Sequence, residues 1–376
     1  MAIKGFFLFA IVCYLSYYGK VGGEYKGLSR EEELEIEKQL KLLNKPSLKT
    51  IKTQSGDVYD CVDFYKQPAF DHPLLKNHSY HFQIRPSRRP KTIMNVREPS
   101  NMVEKVSLET GLRSGGCPIG TVPIRRTTKE DLIRAKLFTE TYASRISPLT
   151  VEKPGLHHAV VRTKHDPSKK YNGGGTIVSI YSLPVTSSQY SSGQMTIRNG
   201  LDSIQVGWTA GESSCFNTQC PGFIIVDTEI PLDMVVKPVS QRGGLTIEVK
   251  LFVYRDQFSG NWWLEIGTNY TKVGFWPSKI FSGGLKDLAT YVEWGGEAYS
   301  PPGQPCPPMG SGFFLQGYTK VDAYCRVLTT VNEAHEPDDA ENTEVFVDDS
   351  HFYGVDDWGM ISDNRRLMTY GGPGST

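Results

Sequence analysis

The chain has no surplus of charge: 41 lysines and arginines stand against 41 aspartates and glutamates in 376 residues. A domain-wide basic excess is the electrostatic footprint of nucleic-acid binding, so no such partner is expected. Beyond the N-terminus no apolar run is long enough to cross a bilayer. Cysteine is scarce, seven in all, and neither a Cys-x-x-Cys pair nor a His-x-x-x-His run is present. That removes the common zinc arrangements, and neither metal nor cofactor is expected. His157, His158 and His165 lack acidic or histidine partners at ligand spacing and read as strand or surface residues. There is no Gly-x-Ser-x-Gly elbow, which weakens a serine hydrolase reading. Helices between the C-terminal strands are missing too, and a parallel α/β sheet cannot be connected without them.

What is present begins with a leader. Met1-Ala-Ile-Lys4 is a basic start, Gly5 to Tyr18 is apolar, and small residues follow at Gly22-Gly23. This is the order of a secretory signal, so residues 1–23 are expected to be removed, leaving no membrane attachment. Asn77-His-Ser79 and Asn269-Tyr-Thr271 are acceptor triplets for N-glycosylation and fit the same route. Without Cys13 six cysteines remain, and an oxidising compartment lets them pair. Cys215 and Cys220 are close enough to close a small loop. Cys61 and Cys117 could staple the N-terminal half, whereas Cys306 and Cys325 receive no firm pairing.

The two halves differ in texture. Residues 28–45 predict a helix, with Ser29 at its cap and Glu32 three residues on, and Pro46 stops it. Residues 83–110 are rich in charge, Pro and Ser and read as mobile. A short helix is expected over Lys129–Phe138, and 139–155 reads as a linker. All six tryptophans lie beyond Gly155. Leu245 to Val253 is apolar at every odd position, the period of a half-buried strand. Further strands are expected at 157–163, 175–183, 194–198, 203–208, 222–227, 261–267, 289–294 and 318–330, separated by Gly- and Pro-rich turns. The expected fold is all-β: an antiparallel β-sandwich, jelly-roll-like, over 151–376, preceded by a small mixed α+β domain over 24–150.

The chemistry concentrates in Tyr291-Val-Glu-Trp-Gly-Gly-Glu-Ala-Tyr299. Glu293 and Glu297, four apart on a strand, share one face. The Gly-Gly step between them invites a bulge, and an acidic pair beside an aromatic can seat general acid–base chemistry. Against this stands the plainer possibility of two solvated glutamates. Trp262, Trp263 and Trp294 could line a groove, although tryptophans more often fill sandwich cores. Arg125-Arg126 could serve as a dibasic processing point, although such pairs are common on surfaces and the 139–155 linker is an equally good cleavage region.

Several motifs in order resemble the plant neprosin family of secreted glutamic peptidases. In the N-terminal half they are Asp60-Cys-Val-Asp-Phe-Tyr-Lys-Gln-Pro-Ala-Phe-Asp-His-Pro-Leu-Leu-Lys-Asn-His78 and Gly116-Cys-Pro-Ile-Gly-Thr-Val-Pro-Ile-Arg-Arg126, similar to the family's activation peptide. In the C-terminal half they are Cys220-Pro-Gly-Phe223, Gly260-Asn-Trp-Trp263, Gly274-Phe-Trp-Pro277, Val292-Glu-Trp-Gly-Gly-Glu297, Met309-Gly-Ser-Gly312 and Tyr370-Gly-Gly-Pro-Gly374. The resemblance implies a secreted endopeptidase of the apoplast or cell wall, cutting after proline, made as a proenzyme with its own propeptide as intramolecular inhibitor. It also implies two facing glutamates across a cleft between the sheets. The second falls on Glu297, while the first falls on Gln205 in Ile204-Gln-Val-Gly-Trp208. Glutamine cannot ionise but can donate to an oxyanion, and a Gln/Glu pair resembles the dyad of the fungal glutamic peptidases. Trp208, Glu293 and Trp294 are the expected substrate-binding neighbours.

Two departures weigh on that reading. Gly207 to Cys215 runs straight into the cysteine loop where the family carries a further strand, which predicts an unpaired sheet edge. The family's cysteines near His351-Phe352 and after Gly374 are absent. The alternative expectation is therefore a catalytically weak or inactive sandwich that binds a wall glycan or a protein.

Overall fold

The computed structural model describes residues 12–13, 29–91, 105–107, 112, 115–133, 154–211, 217–219 and 221–375. The N-terminal part opens with α1 (Arg30–Leu43). Its capping box is complete: Ser29 Oγ accepts the Glu32 N–H at 3.2 Å, and the Glu32 carboxylate accepts the Ser29 N–H at 2.9 Å. Glu31, Glu32 and Glu33 in the first turn complement the helix dipole. A three-stranded antiparallel sheet follows, β2 (Ser47–Lys52), β3 (Val58–Asp63) and β5 (Thr121–Arg125), with β3 central. A disulfide joins Cys61 to Cys117 within this mixed α+β unit. Helix begins again at Lys129; its expected continuation beyond residue 133 lies outside the described residues.

The rest is two large sheets. One has six strands in the order β1 (Val12–Cys13), β9 (Asp202–Gly211), β8 (Tyr190–Asn199), β14 (Tyr291–Tyr299), β6 (Leu156–Thr163) and β17 (Thr343–Val347). The other runs β10 (Ile224–Ile225), β13 (Thr271–Trp276), β12 (Trp262–Ile266), β11 (Thr246–Arg255), β7 (Gly173–Ser179), β15 (Ala323–Val331), β19 (Arg365–Gly371) and β18 (Gly354–Ile361). Two short strands, β4 (Lys105–Ser107) and β16 (Pro337–Asp339), flank β11 and β15. Pairing is antiparallel except at β1 and β4. One continuous core joins the sheets, with Val161, Met195, Val206 and Val292 packed in one cluster with Val178, Val249, Leu251 and Met368.

Two tryptophans tie the sheets together. Trp294 Nε1–H donates to the Gly175 carbonyl at 3.1 Å, and Trp208 Nε1–H donates to the Ser179 carbonyl at 2.8 Å. Both acceptors lie on β7 of the opposite sheet, and both rings are at most 1 % exposed. At ~25 cal/mol per Å² and ~150–250 Å² each, such burial is worth about 4–6 kcal/mol per ring. The expected bulge at Gly295-Gly296 is absent; β14 stays in register with both β8 and β6. The glycines serve contact instead. A Cβ on Gly296 would stand 2.4 Å from Met309 Sδ, and Gly295, at φ +139°, would bring a Cβ within 2.3 Å of the Ala159 carbonyl.

The segment read as mobile is anchored where it is described. Arg89 inserts its guanidinium against Glu265, with Nε 2.7 Å from Oε2 and Nη2 2.6 Å from the same oxygen. Ser87 Oγ and the Arg88 N–H both donate to the Asp256 carboxylate. Upstream, the Gln67 side chain accepts from the Ile225 N–H at 2.8 Å and donates to the Ile225 carbonyl at 3.2 Å, closing the exposed end of the ten-stranded sheet. The N-terminal segment is thus strapped across the sandwich. Arg125 and Arg126 both have acidic neighbours: Arg126 is paired with Asp60 and Arg125 lies near Asp57 and Asp131.

Candidate active site

The alternation of a strand decides which side chains can meet. On β14 the even residues Val292, Trp294 and Ala298 enter the core, so the odd residues Tyr291, Glu293, Glu297 and Tyr299 share the outward face. The flanking strands add transverse rows to that face. Thr209, Ser192, Glu297 and His158 form one row, and Gln205, Thr196, Glu293 and Arg162 another. Between them lies Gly207, Gln194, Gly295 and Val160. With glycine on either side of Gln194, the middle row leaves room for long side chains to reach across it.

Glu297 is the focus of this face and is 5 % exposed. Tyr190 donates its hydroxyl to Oε1 at 2.7 Å. Gln194 Nε2 donates to Oε2 at 3.2 Å, and Gln205 Nε2 donates to the same oxygen at 3.4 Å. His158 Nδ1 stands 3.8 Å from Oε2, too far for a hydrogen bond, and is buried without another partner among the described residues. No lysine or arginine among the described residues pairs with this carboxylate. Ser192 Oγ donates to the Gln194 Oε1, fixing that amide's orientation.

Gln205 and Glu297 therefore meet, but not across a cleft between sheets. They lie on β9 and β14 of the same sheet, with β8 between them, on one face. The 3.4 Å contact is a diagonal one between neighbouring rows.

The expected substrate-binding residues divide. Trp208 and Trp294 are core residues and cannot touch a substrate on this face. Each stands at an odd offset from its functional neighbour, three positions from Gln205 and one from Glu293, so parity turns it inward. Glu293 does share the face, yet it is held elsewhere. Tyr291 donates to its Oε2 at 2.5 Å, and Arg198 lies 4.0 Å from Oε1. Burial first, and the adjacent Glu293 second, push the Tyr291 phenol well above its ordinary range, so it remains a neutral donor. The aromatics that flank Glu297 are Tyr190 and Tyr299, stacked with centroids 5.7 Å apart. Tyr190, Gln194 and His158 had no sequence signal beyond their place on strands.

Cys215 and Cys220 lie outside the described residues, and Cys306 and Cys325 are both free thiols. Asn77 and Asn269 are exposed, the latter in the turn between β12 and β13. Among the described residues no cluster of three or more metal-ligating side chains forms, and no helix is long and apolar enough to cross a membrane.

The fold is that of an all-β sandwich with a carboxylate–amide pair on one outward face and its own N-terminal segment strapped across it. Two family models match the chain: Neprosin over residues 209–373, and Neprosin activation peptide over residues 50–162. The chain belongs to the neprosin family and carries the family's activation peptide. At family level it is a peptidase made as a proenzyme. Glu297 falls within the first match, and Gln205 lies between the two.

Proposed function

We propose that this chain is a secreted glutamic endopeptidase in which Glu297 is the general base and Gln205 the oxyanion donor. The observation that carries the reading is a nearly buried carboxylate that accepts hydrogen bonds from a phenol and two amides, with no lysine or arginine paired to it among the described residues. A carboxylate locked to a guanidinium is poorly placed to act as a general base, and Glu297 carries no such lock among the described residues.

In the proposed cycle Glu297 takes a proton from water as the oxygen attacks the scissile carbonyl. The Gln205 amide turns from Glu297 to the developing oxyanion, exchanging a long 3.4 Å bond for a charge-assisted one. Tyr190 and Gln194 keep the carboxylate aimed throughout. Glu297 then passes the proton to the leaving amine.

A preference for cutting after proline is proposed on family grounds. The stacked Tyr190 and Tyr299 supply a flat wall suited to a pyrrolidine ring. The activation peptide is proposed to inhibit in place, held by Arg89, Gln67 and the Asp256 contacts. Secretion rests on the leader-like N-terminus and the two exposed acceptor asparagines.

The test is to acidify the purified chain, allow it to process, and offer a proline-containing peptide. Cleavage that disappears in Glu297→Gln supports the reading. Binding to a wall glycan with no cleavage by the native chain would favour an inactive sandwich instead.

A further inference from the structure

A second group of chemistry-bearing side chains lies away from Glu297, at the start of β6. Cys306 Sγ is 3.3 Å from His157 Nε2, and His157 Nδ1 is 2.9 Å from Asp348 Oδ2. Nucleophile, base and orienting carboxylate stand in a line, each within hydrogen-bonding reach of the next. His157 and His158 are neighbours on β6 and point to opposite faces, so this group does not belong to the Glu297 site.

We propose that Cys306, His157 and Asp348 form a nucleophilic thiol site that exchanges with low-molecular-weight disulfides. The thiol proton passes to His157 Nε2, and the sulfur attacks one sulfur of the small disulfide. That S–S bond breaks, a mixed disulfide forms on Cys306, and the departing thiolate takes up the proton. The small disulfide is itself the oxidant: one S–S bond breaks as another forms, and half of the reagent leaves as thiol.

The surroundings select this reaction over acyl transfer. Acyl transfer needs donors for an oxyanion, and the nucleophile's own N–H, that of Cys306, is already committed to Ser375 Oγ at 2.6 Å. Thiol exchange needs none. Access is limited: Cys306 is half-buried, and the His157 and Asp348 side chains are 17 % and 20 % exposed. Partial exposure of this kind suits a small disulfide as the partner.

The groups around the thiol orient and support its base. The hydrogen bond from Asp348 raises His157 above the ordinary imidazole range against the effect of burial, and Asp349 adds to it. The Tyr353 hydroxyl, the Ser300 hydroxyl at 3.8 Å and Ser375 complete the neutral surroundings. Asp348 is fixed by accepting the His158 backbone N–H at 2.7 Å, so the imidazole has a rigid orienter. The chain holds its own control. Cys325 is fully buried, its thiol pushed up to about 12 by burial, and it has no such base.

The test is reaction of the full native chain with 4,4′-dithiodipyridine from pH 5 to pH 9, with peptide mapping of the labelled cysteine. Rapid labelling at Cys306 is expected, with a rate that stays high below the ~8.5 at which an ordinary thiol protonates. His157→Gln should slow the reaction at least tenfold near pH 6 and restore an ordinary thiol profile. Cys306→Ser should abolish the fast phase. Labelling of native Cys306 with the rate and pH profile of N-acetylcysteine would overturn the proposal. So would a His157→Gln protein, folded by circular dichroism, with an unchanged profile.

Discussion

Both sheets of the sandwich carry nearly buried carboxylates, and Glu297 is treated oppositely to Glu248 and Glu265. On the ten-stranded sheet Glu248 receives a bidentate guanidinium from Arg326, with both bonds at 2.8 Å, and the Tyr324 hydroxyl as well. Glu265 on the same sheet receives Arg89 and the Tyr254 hydroxyl. On the six-stranded sheet Glu297 has a similar degree of burial and a tyrosine of its own, but amides stand where the guanidinium would be. Burial and a phenol are common to all three. On the proposed mechanism, the cation is what separates a carboxylate that holds the fold from one that serves as general base.

The largest expected effect comes from exchanging that contrast for neutrality at each place. Glu297→Gln should reduce peptide cleavage to background while leaving the unfolding midpoint nearly unchanged, since the glutamine oxygen can still accept from the Gln194 and Gln205 amides while its NH2 donates to the Tyr190 hydroxyl oxygen. Glu248→Gln should do the reverse. It leaves Arg326 buried without its charge partner, which typically costs about 3–5 kcal/mol, read as a lower denaturant midpoint with activity retained in the folded fraction. If both substitutions damage stability equally, the distinction fails. Next in size, Gln205→Ala should slow turnover ~100- to 1,000-fold with a modest change in KM, as for loss of one oxyanion donor. Tyr190→Phe removes a hydrogen bond to a charged group, worth ~1.5–3 kcal/mol, so turnover should fall about 10- to 100-fold.

Much of this was legible before any coordinates. The helix with its Ser29–Glu32 cap and most strands up to β15 followed from local pattern, and the motifs brought Gln205 and Glu297 together, though on one sheet and not across a cleft. The failures share a physical cause. Arg89 looked mobile because its neighbours are polar, and its partner Glu265 lies 176 residues away. β17 and β18 were missed because they are half-exposed, with no sustained apolar alternation to mark them. Trp208 and Trp294 were misplaced because nearness in sequence was weighed above strand parity. His158 was dismissed as a metal ligand, and its approach to Glu297 depends on a register between β6 and β14 that no single segment encodes.

The smallest expected effect tests the seam between the N-terminal unit and the sandwich. The Tyr59 hydroxyl donates to the Asp233 carbonyl there, and Asp233 Oδ1 is enclosed without a partner among the described residues. Burial raises the Asp233 carboxyl to about 6, Arg125 opposes this, and Asp131 and Asp57 add to it. A carboxyl raised on folding stabilises the folded state when protonated, and that contribution is lost as pH rises through about 6. Thermal stability should therefore climb slightly from pH 7 to pH 5, and Asp233→Asn should flatten the climb. Asp256 works the other way. Burial pushes its carboxyl up, but hydrogen bonds from Ser259, Arg88 and Ser87 hold it below the usual range, so its contribution fades only in stronger acid. Acid release of the strap has to overcome the first effect by way of the second.

The Cys61–Cys117 crosslink spans 56 residues and sets the order in which this precursor can be dismantled. A nick anywhere between the two cysteines yields fragments that still migrate as one species until reductant is added. Only a cut downstream of Cys117 and ahead of β6 liberates the whole leading portion in one step. Maturation followed on paired reducing and non-reducing gels would therefore tell productive scission from futile scission.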